Sequence, residues 1–226
     1  MTGKVFISWS GGKDSCLAAY QAKASGLEIS YLLNMVTEDG ERSWTHGLSA
    51  ELLQKQAEAV GIPLVQKQTT LADYEARFKN VLLELKRQGV SGGVFGDIDI
   101  EEHREWVTRV CHAVEITPYL PLWGQRQELI LRGFIKMGFE AVVVTARADL
   151  FGEEWLGRRV DRSFVQDLAK LKETNNITLC GEAGEYHTFV VDGPLFRQKI
   201  GLVETSKVCR DGYWFLEITK SSLGPR

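Results

Sequence analysis

Strand-like and helix-like runs alternate through the first half of this chain, and that order leaves few ways for it to fold. Val5-Phe6-Ile7-Ser8-Trp9 has the apolar character of a buried strand, and a glycine turn leads from it into a helical stretch from about Asp14 to Lys23. Ile29 to Val36 is a second, near-continuous apolar run, the pattern of a strand covered on both faces. Helix-like sequence covers Ser49 to Val60 and stops at Gly61, with Pro63 just beyond. Ile62 to Val65 reads as a third strand. Tyr74, Phe78, Val81, Leu82 and Leu85 then fall at helical spacing up to Gly89. Gly93-Val94-Phe95-Gly96 predicts a short fourth strand, and Trp106, Val107, Val110, Cys111 and Val114 mark the stripe of the next helix. This β-α-β-α order predicts a mostly parallel sheet with right-handed crossovers, which binds ligands at the carboxyl ends of its strands.

The second half is less regular. A helix over Leu129 to Met137, a strand over Ala141 to Thr145 and a helix over Ser163 to Lys172 are expected. Beyond Asn176 the pattern turns β-rich, at Phe189 to Val191, Ile200 to Val203 and Tyr213 to Ile218. A soft boundary at Trp123-Gly124 divides the chain into a nucleotide-binding α/β domain, residues 1–124, and a smaller α+β domain, residues 125–226.

Composition excludes other classes. With 226 residues, 44% hydrophobic and 25% charged, the chain is of ordinary globular type. Its 27 basic and 30 acidic residues leave a net charge of −3, so no basic excess points to nucleic acid. Cys16, Cys111, Cys180 and Cys209 are widely spaced and form no Cys-x-x-Cys, which argues against a zinc site or redox dithiol and for buried or partly buried thiols in a reducing compartment. No apolar run reaches the ~18 residues of a membrane span, and Met1-Thr2-Gly3-Lys4 runs straight into a strand pattern, so neither membrane insertion nor a leader is expected and a cytoplasmic location is.

The sharpest local signal is Ser10-Gly11-Gly12-Lys13-Asp14-Ser15, between the first strand and the first helix. Adjacent glycines let the backbone turn tightly and aim N–H groups at an anion. The helix start adds unpaired donors and the positive end of its dipole. Ser10 and Ser15 add hydroxyls, and Lys13 adds charge. The spacing is not that of a Walker loop, which requires Gly-x-x-x-x-Gly-Lys followed by Ser or Thr. The string resembles the Ser-Gly-Gly-x-Asp-Ser loop (PP-loop) of the N-type ATP pyrophosphatases. That resemblance implies a HUP-like (Rossmann-like) sheet and cleavage of ATP to AMP and pyrophosphate.

A second constellation lies at Gly181-Glu182-Ala183-Gly184-Glu185-Tyr186-His187-Thr188, ahead of an apolar strand. Carboxylates in such a loop hold magnesium or ammonium, or take a proton from an attacking amine. A solvated acidic turn is the plainer alternative. Together the two segments resemble the diphthine–ammonia ligase family, and the likeness runs along the whole chain. It includes Gly96-Asp97-Ile98, Pro121-Leu122-Trp123-Gly124 and Trp155-Leu156-Gly157-Arg158.

The resemblance implies an ATP-dependent, amide-forming ligase that adenylates a carboxylate and then admits ammonia. By it, Ser10, Gly11, Gly12, Lys13, Asp14 and Ser15 hold ATP, with Asn34 and Met35 at adenine. Mg²⁺ accompanies the phosphates, with Asp14 as its carboxylate. Glu182, Glu185 and His187 are the catalytic candidates, and Asp97, Trp123, Tyr186 and Thr188 the substrate contacts. For Asp97 helix capping nearby by Asp99, for Asn34 and Met35 core packing, and for Trp123 a hydrophobic lid remain open. His46 beside Trp44 reads either as a cleft residue or as a solvated loop histidine.

The expected partners are ammonia and a carboxylate, either diphthine on an elongation factor or a small molecule; a homodimer is admitted. Two departures bear on that choice. His187 stands where diphthine enzymes carry an acidic residue, in Glu-Gly-Gly-Glu-Phe-Glu-Thr, and His103-Arg104-Glu105-Trp106 stands in place of a Tyr-Gln-Arg pattern. Both resemble the bacterial branch thought to amidate a corrinoid or another small carboxylate. A non-catalytic ATP sensor is the reading from another class.

Overall fold

The computed structural model describes residues 3–44 and 47–226; His46 lies outside them. Density of packing divides the chain into two compact units: residues up to Ser10 with Asp14–Trp123, and Gly11–Lys13 with Gly124–Arg226.

The first unit contains β1 (Lys4–Ser8), α1 (Lys13–Ala24, its first residue grouped with the second unit), β2 (Glu28–Val36), α2 (Ala50–Val60), β3 (Leu64–Gln68), α3 (Tyr74–Arg87), β4 (Val90–Val94), α4 (Glu101–Ala113) and β5 (Thr117–Tyr119). The strands pair in parallel in the order β3-β2-β1-β4-β5, as the alternation requires. The order runs outward from β1 through β2 and β3, then resumes on its other side at β4. The reversal between β1 and β4 is the place where such sheets open a crevice for ligands. Phe6, Leu33 and Met35 bury one face against Phe78, Val81 and Leu82 of α3 and Val107 and Val110 of α4. Phe6 meets Phe95 edge-on at 5.7 Å and Phe78 at 6.3 Å.

Helix α2 is capped at both ends. Ser49 accepts from the Leu52 N–H, and Gly61, at φ 76°, closes the other end. The third strand starts two residues later than expected, because Ile62 is spent on the helix cap, donating its N–H to Ala57. Strand β4 begins earlier and ends at Val94, which leaves Gly96 beyond it. The expectation missed β5, a three-residue edge strand built around Pro118; an edge position tolerates proline because one side of it needs no donor.

The second unit contains α5 (Gln127–Lys136), β6 (Glu140–Arg147), a 3₁₀ turn (Glu153–Trp155), α6 (Arg162–Thr174), β7 (Tyr186–Asp192), β8 (Lys199–Arg210) and β9 (Tyr213–Gly224). Its sheet is antiparallel, in the order β7-β6-β9-β8. Phe164 lies edge-on to both Trp155, at 5.5 Å, and Tyr186, at 5.4 Å. Strands β8 and β9 extend well past their apolar runs. Their outer halves are largely exposed and held by cross-strand charge pairs, Lys220–Glu204 at 3.1 Å and Arg210–Glu217 at 2.9 Å, so no apolar alternation marks them.

Cys16, Cys111 and Cys180 are buried free thiols, whereas Cys209, near the end of β8, is exposed. Burial pushes the Cys111 thiol up to about 12. Among the described residues no helix is long and apolar enough to cross a membrane.

Candidate functional site

The glycine loop joins β1 to α1. Trp9 extends the β1–β2 pairing by one rung, its N–H donating to Leu33 at 2.7 Å, and the Asn34 amide donates to the Trp9 carbonyl at 2.9 Å. The Trp9 indole is pinned by Gln56 at 2.8 Å. The carboxyl end of the strand is thus fixed before the chain turns. Gly11 makes the turn at φ 78°, a backbone state that favours glycine, and α1 opens with Asp14 in its first turn. The Ser10 and Ser15 hydroxyls meet across the loop at 3.2 Å. Asn34 is buried and its Oδ1 has no hydrogen-bond partner in the structure. An orphaned buried acceptor costs about 1–3 kcal/mol, which a donor on a bound ligand would recover. Met35 lies in the core, and its carbonyl receives the Trp44 N–H at 3.4 Å.

Beyond β4 the chain passes hard against this loop. A Cβ placed on Gly96 would lie 2.9 Å from the Asp14 carbonyl carbon and 3.0 Å from the Ser15 nitrogen. Asp97 follows immediately, and its Oδ1 stands 3.2 Å from Nδ1 of His103 in the first turn of α4. Burial, with the Asp97 charge added, pushes the nearby Tyr74 phenol up to about 12. Arg104 is paired with Glu101 and lies 4.8 Å from the centre of the Trp123 ring.

In the second unit the Gly11–Lys13 turn is stitched to β7. Val190 donates its N–H to Gly11 at 3.0 Å, and Lys13 donates its N–H to the Thr188 hydroxyl at 3.0 Å. The Lys13 side chain is 3% exposed; its ammonium donates to the Cys180 carbonyl and sits 5.0 Å from the centre of the Tyr186 ring. Glu185 is 1% exposed and takes both the N–H and the hydroxyl of Thr178, the latter at 2.9 Å. Thr178 in turn accepts the Glu182 N–H at 2.8 Å. Tyr186 donates to the Leu179 carbonyl at 2.7 Å, and the Cys180 N–H goes to Gln127 at 2.8 Å. The acidic segment is therefore a folded knot, not a loose turn.

His187 leaves this knot partly buried. Desolvation, helped by the Lys13 charge, lowers its pKa from 6.5 to about 4. A buried neutral histidine must charge in the unfolded chain first, so its contribution to stability is complete above pH 6.5 and is lost as pH falls from there towards 4. Its imidazole is expected to stay neutral at pH 5.5 in ¹⁵N-resolved NMR; a titration midpoint at or above 6.5 would contradict that environment.

The expected residues therefore group by unit. Ser10, Asp14, Ser15, Asn34 and Asp97 gather at the carboxyl ends of β1, β2 and β4. Lys13, Glu182, Glu185, Tyr186, His187 and Thr188 belong to the β7 end of the second unit. Trp123 is stacked on Arg104. Sequence reasoning missed Thr178 and Gln127, which no motif marks. It also missed the pairing of His103 with Asp97, whose one signal was a histidine six residues beyond a strand-end aspartate. Among the described residues no three His, Cys, Asp or Glu side chains form a metal cage.

Known proteins resemble this chain over most of its length. Residues 3–118 match the family described as diphthamide synthase N-terminal domain, and residues 126–223 its C-terminal domain. The chain is 29% identical over 221 residues to a human protein named diphthine–ammonia ligase, covering 88% of this chain and 82% of that one. The bovine protein of that name is 30% identical over 221 residues at the same coverages, and the zebrafish (Danio rerio) one 29% identical over 230 residues, 88% of this chain and 86% of that one. Among solved structures, the crystal structure of a predicted subunit of tRNA methyltransferase from Methanocaldococcus jannaschii superposes with a TM-score of 0.45 at 17% identity, over 85% of this chain and 98% of that one, a likeness too distant to argue from. On the match of both domains and of the bovine relative, this chain belongs to the diphthamide synthase family.

Proposed function

We propose that this chain is an ATP-dependent, AMP-forming ligase that converts a carboxylate to its amide with ammonia, and that the acceptor is diphthine, the substrate named in its relatives. The observation that carries the nucleotide half is the glycine loop between β1 and α1, at the point where the strand order reverses. Backbone donors of Gly11 and Gly12 and the hydroxyls of Ser10 and Ser15 suit phosphate oxygens. The orphaned Asn34 Oδ1 suits a hydroxyl or amine on the nucleoside, since phosphate has no proton to give it.

The acceptor carboxylate attacks the α-phosphoryl group, and pyrophosphate leaves. Negative charge grows on the attacked group, where fixed donors act most strongly because they need no reorganisation. Mg²⁺, held by Asp14 and the phosphates themselves, would shield that charge; a site of one or two carboxylates plus phosphate is the usual magnesium arrangement. Ammonia then displaces AMP from the acyl-adenylate. Glu182 and His187 are the second unit's candidates for this step. Glu185, Tyr186, Thr188 and Lys13 act from inside, fixing the segment that carries them.

Neither a corrinoid-like acceptor nor a non-catalytic sensor is favoured by relatives that are named ligases. Incubation with ATP, ammonium and the diphthine-bearing protein should yield AMP and pyrophosphate in step with amide. ADP and phosphate as products would overturn the reading, and ATP binding without any pyrophosphate would restore the sensor.

A further inference from the structure

Helices α5 and α6 leave a trough between them on the second unit. A cavity of about 570 Å³ is lined by Arg132, Ile135 and Lys136 of α5 and by Arg162 and Val165 of α6. A second, of about 300 Å³, shares Arg132 and Val165 and continues past Ala169 to Glu128, Lys172 and Glu173. The two are one trough along antiparallel helices, about 15 Å long by the rise of α5. Its floor is aliphatic, with Val165 7% exposed and Ile135 half-buried. Its two ends differ in charge. Where α5 finishes and α6 starts, Lys136 and Arg162 stand exposed, and neither has an ion pair among the described residues, whereas Arg132 is held by Glu128 at 2.8 Å. The whole chain carries a net charge of −3, so this end is a local reversal of sign.

Neither ATP nor ammonia needs a trough this long or this apolar. Nucleic acid suits it poorly: among the described residues no aromatic ring lines it for a base to stack on, and Glu128 and Glu173 at the far end would repel a phosphate backbone. A protein segment with aliphatic residues towards the floor and acids at one end matches both features. Resting on the reading that the acceptor is diphthine carried on a protein, we infer that this trough docks an acidic, part-apolar segment of that acceptor protein. Lys136 and Arg162 pair with its carboxylates, and Ile135, Val165 and Ala169 meet its aliphatic side chains. Rim charges of this kind speed encounter and fix register. Contacts remote from the reacting carboxylate also supply binding energy that the modified side chain alone does not.

The test titrates the diphthine-bearing protein onto the full chain by calorimetry, without ATP. The double variant Lys136→Glu/Arg162→Glu should bind it about tenfold more weakly, and the fall of affinity with salt seen in the wild type should flatten. ATP affinity and the urea midpoint should not move, since both side chains are exposed and lie outside the nucleotide loop. In turnover, KM for the protein acceptor should rise, while a short diphthine-bearing peptide lacking the docking segment is used equally well by both enzymes. Undiminished binding in the double variant would overturn the inference, as would an equal loss with the peptide, which marks a disturbed reaction site. Loss of a bound single-stranded RNA with acceptor binding intact would reassign the trough to nucleic acid, and a wild-type dimer that separates in the variant would reassign it to a second copy. An acceptor that docks through the trough without ever becoming amide would leave the dock standing and count instead against the ligase reading.

Discussion

Glu185→Ala is expected to destabilise the second unit by about 3 kcal/mol, chiefly because it strands polar groups inside. The carboxylate is 1% exposed and satisfies two donors of Thr178, whose own hydroxyl oxygen supports the Glu182 backbone. Removing it leaves the Thr178 N–H and hydroxyl without their acceptor and opens a side-chain-sized void. Glu185→Gln keeps the shape and one acceptor but turns an amide donor towards Thr178, so an intermediate loss is expected. Urea unfolding at unchanged slope reads the effect as a lower midpoint. Amide formation should fall with it while ATP affinity is nearly kept, since the segment bearing Glu182 and His187 would lose its anchor. An unshifted midpoint would show that Glu185 is not holding the knot.

Gly96→Val should be comparably severe and should strike the nucleotide instead. The new Cβ meets backbone atoms of Asp14 and Ser15, which cannot swing aside as a flexible side chain would. Either the first turn of α1 or the end of β4 must move, and overpacking of this kind costs about 1–3 kcal/mol. Because the displaced atoms belong to the phosphate loop, ATP affinity should fall at least tenfold, or ~1.4 kcal/mol. Gly133→Ala in α5 supplies a control of opposite sign. Nothing lies within 4 Å of its added Cβ, and alanine in a helix interior gains up to about 1 kcal/mol over glycine. Calorimetric titration of both variants separates the cases, and unchanged ATP affinity in Gly96→Val would detach β4 from the site.

Much of this could be read in the residues alone, for identifiable reasons. Strands buried on both faces write long apolar runs, so β1 and β2 were plain, and Gly61 marked the end of α2. The phosphate loop was legible because its chemistry is local: consecutive residues between one strand and one helix. What escaped depends on partners that no motif marks, seven positions away in one case and 167 in another. Nothing near Glu185 tells that its carboxylate turns inward onto Thr178, or that the Lys13 ammonium meets the Cys180 carbonyl. Likewise β5, with its proline, and the polar outer halves of β8 and β9 carry no periodic signal; their pairing is decided by neighbouring strands.

The hydrogen bond from the Lys13 N–H to Thr188 spans 175 positions of sequence. The ribosome therefore delivers the glycine turn early and its β7 partner only much later. Closing so long a span delays such contacts relative to local ones. Strand β1 and helix α1 can form while synthesis proceeds, but Gly11 and Lys13 gain their β7 hydrogen bonds only once residues 188–190 have emerged. A nascent chain thus carries its phosphate loop in unfinished form until the β7 segment has been made, and nucleotide capture waits for that segment.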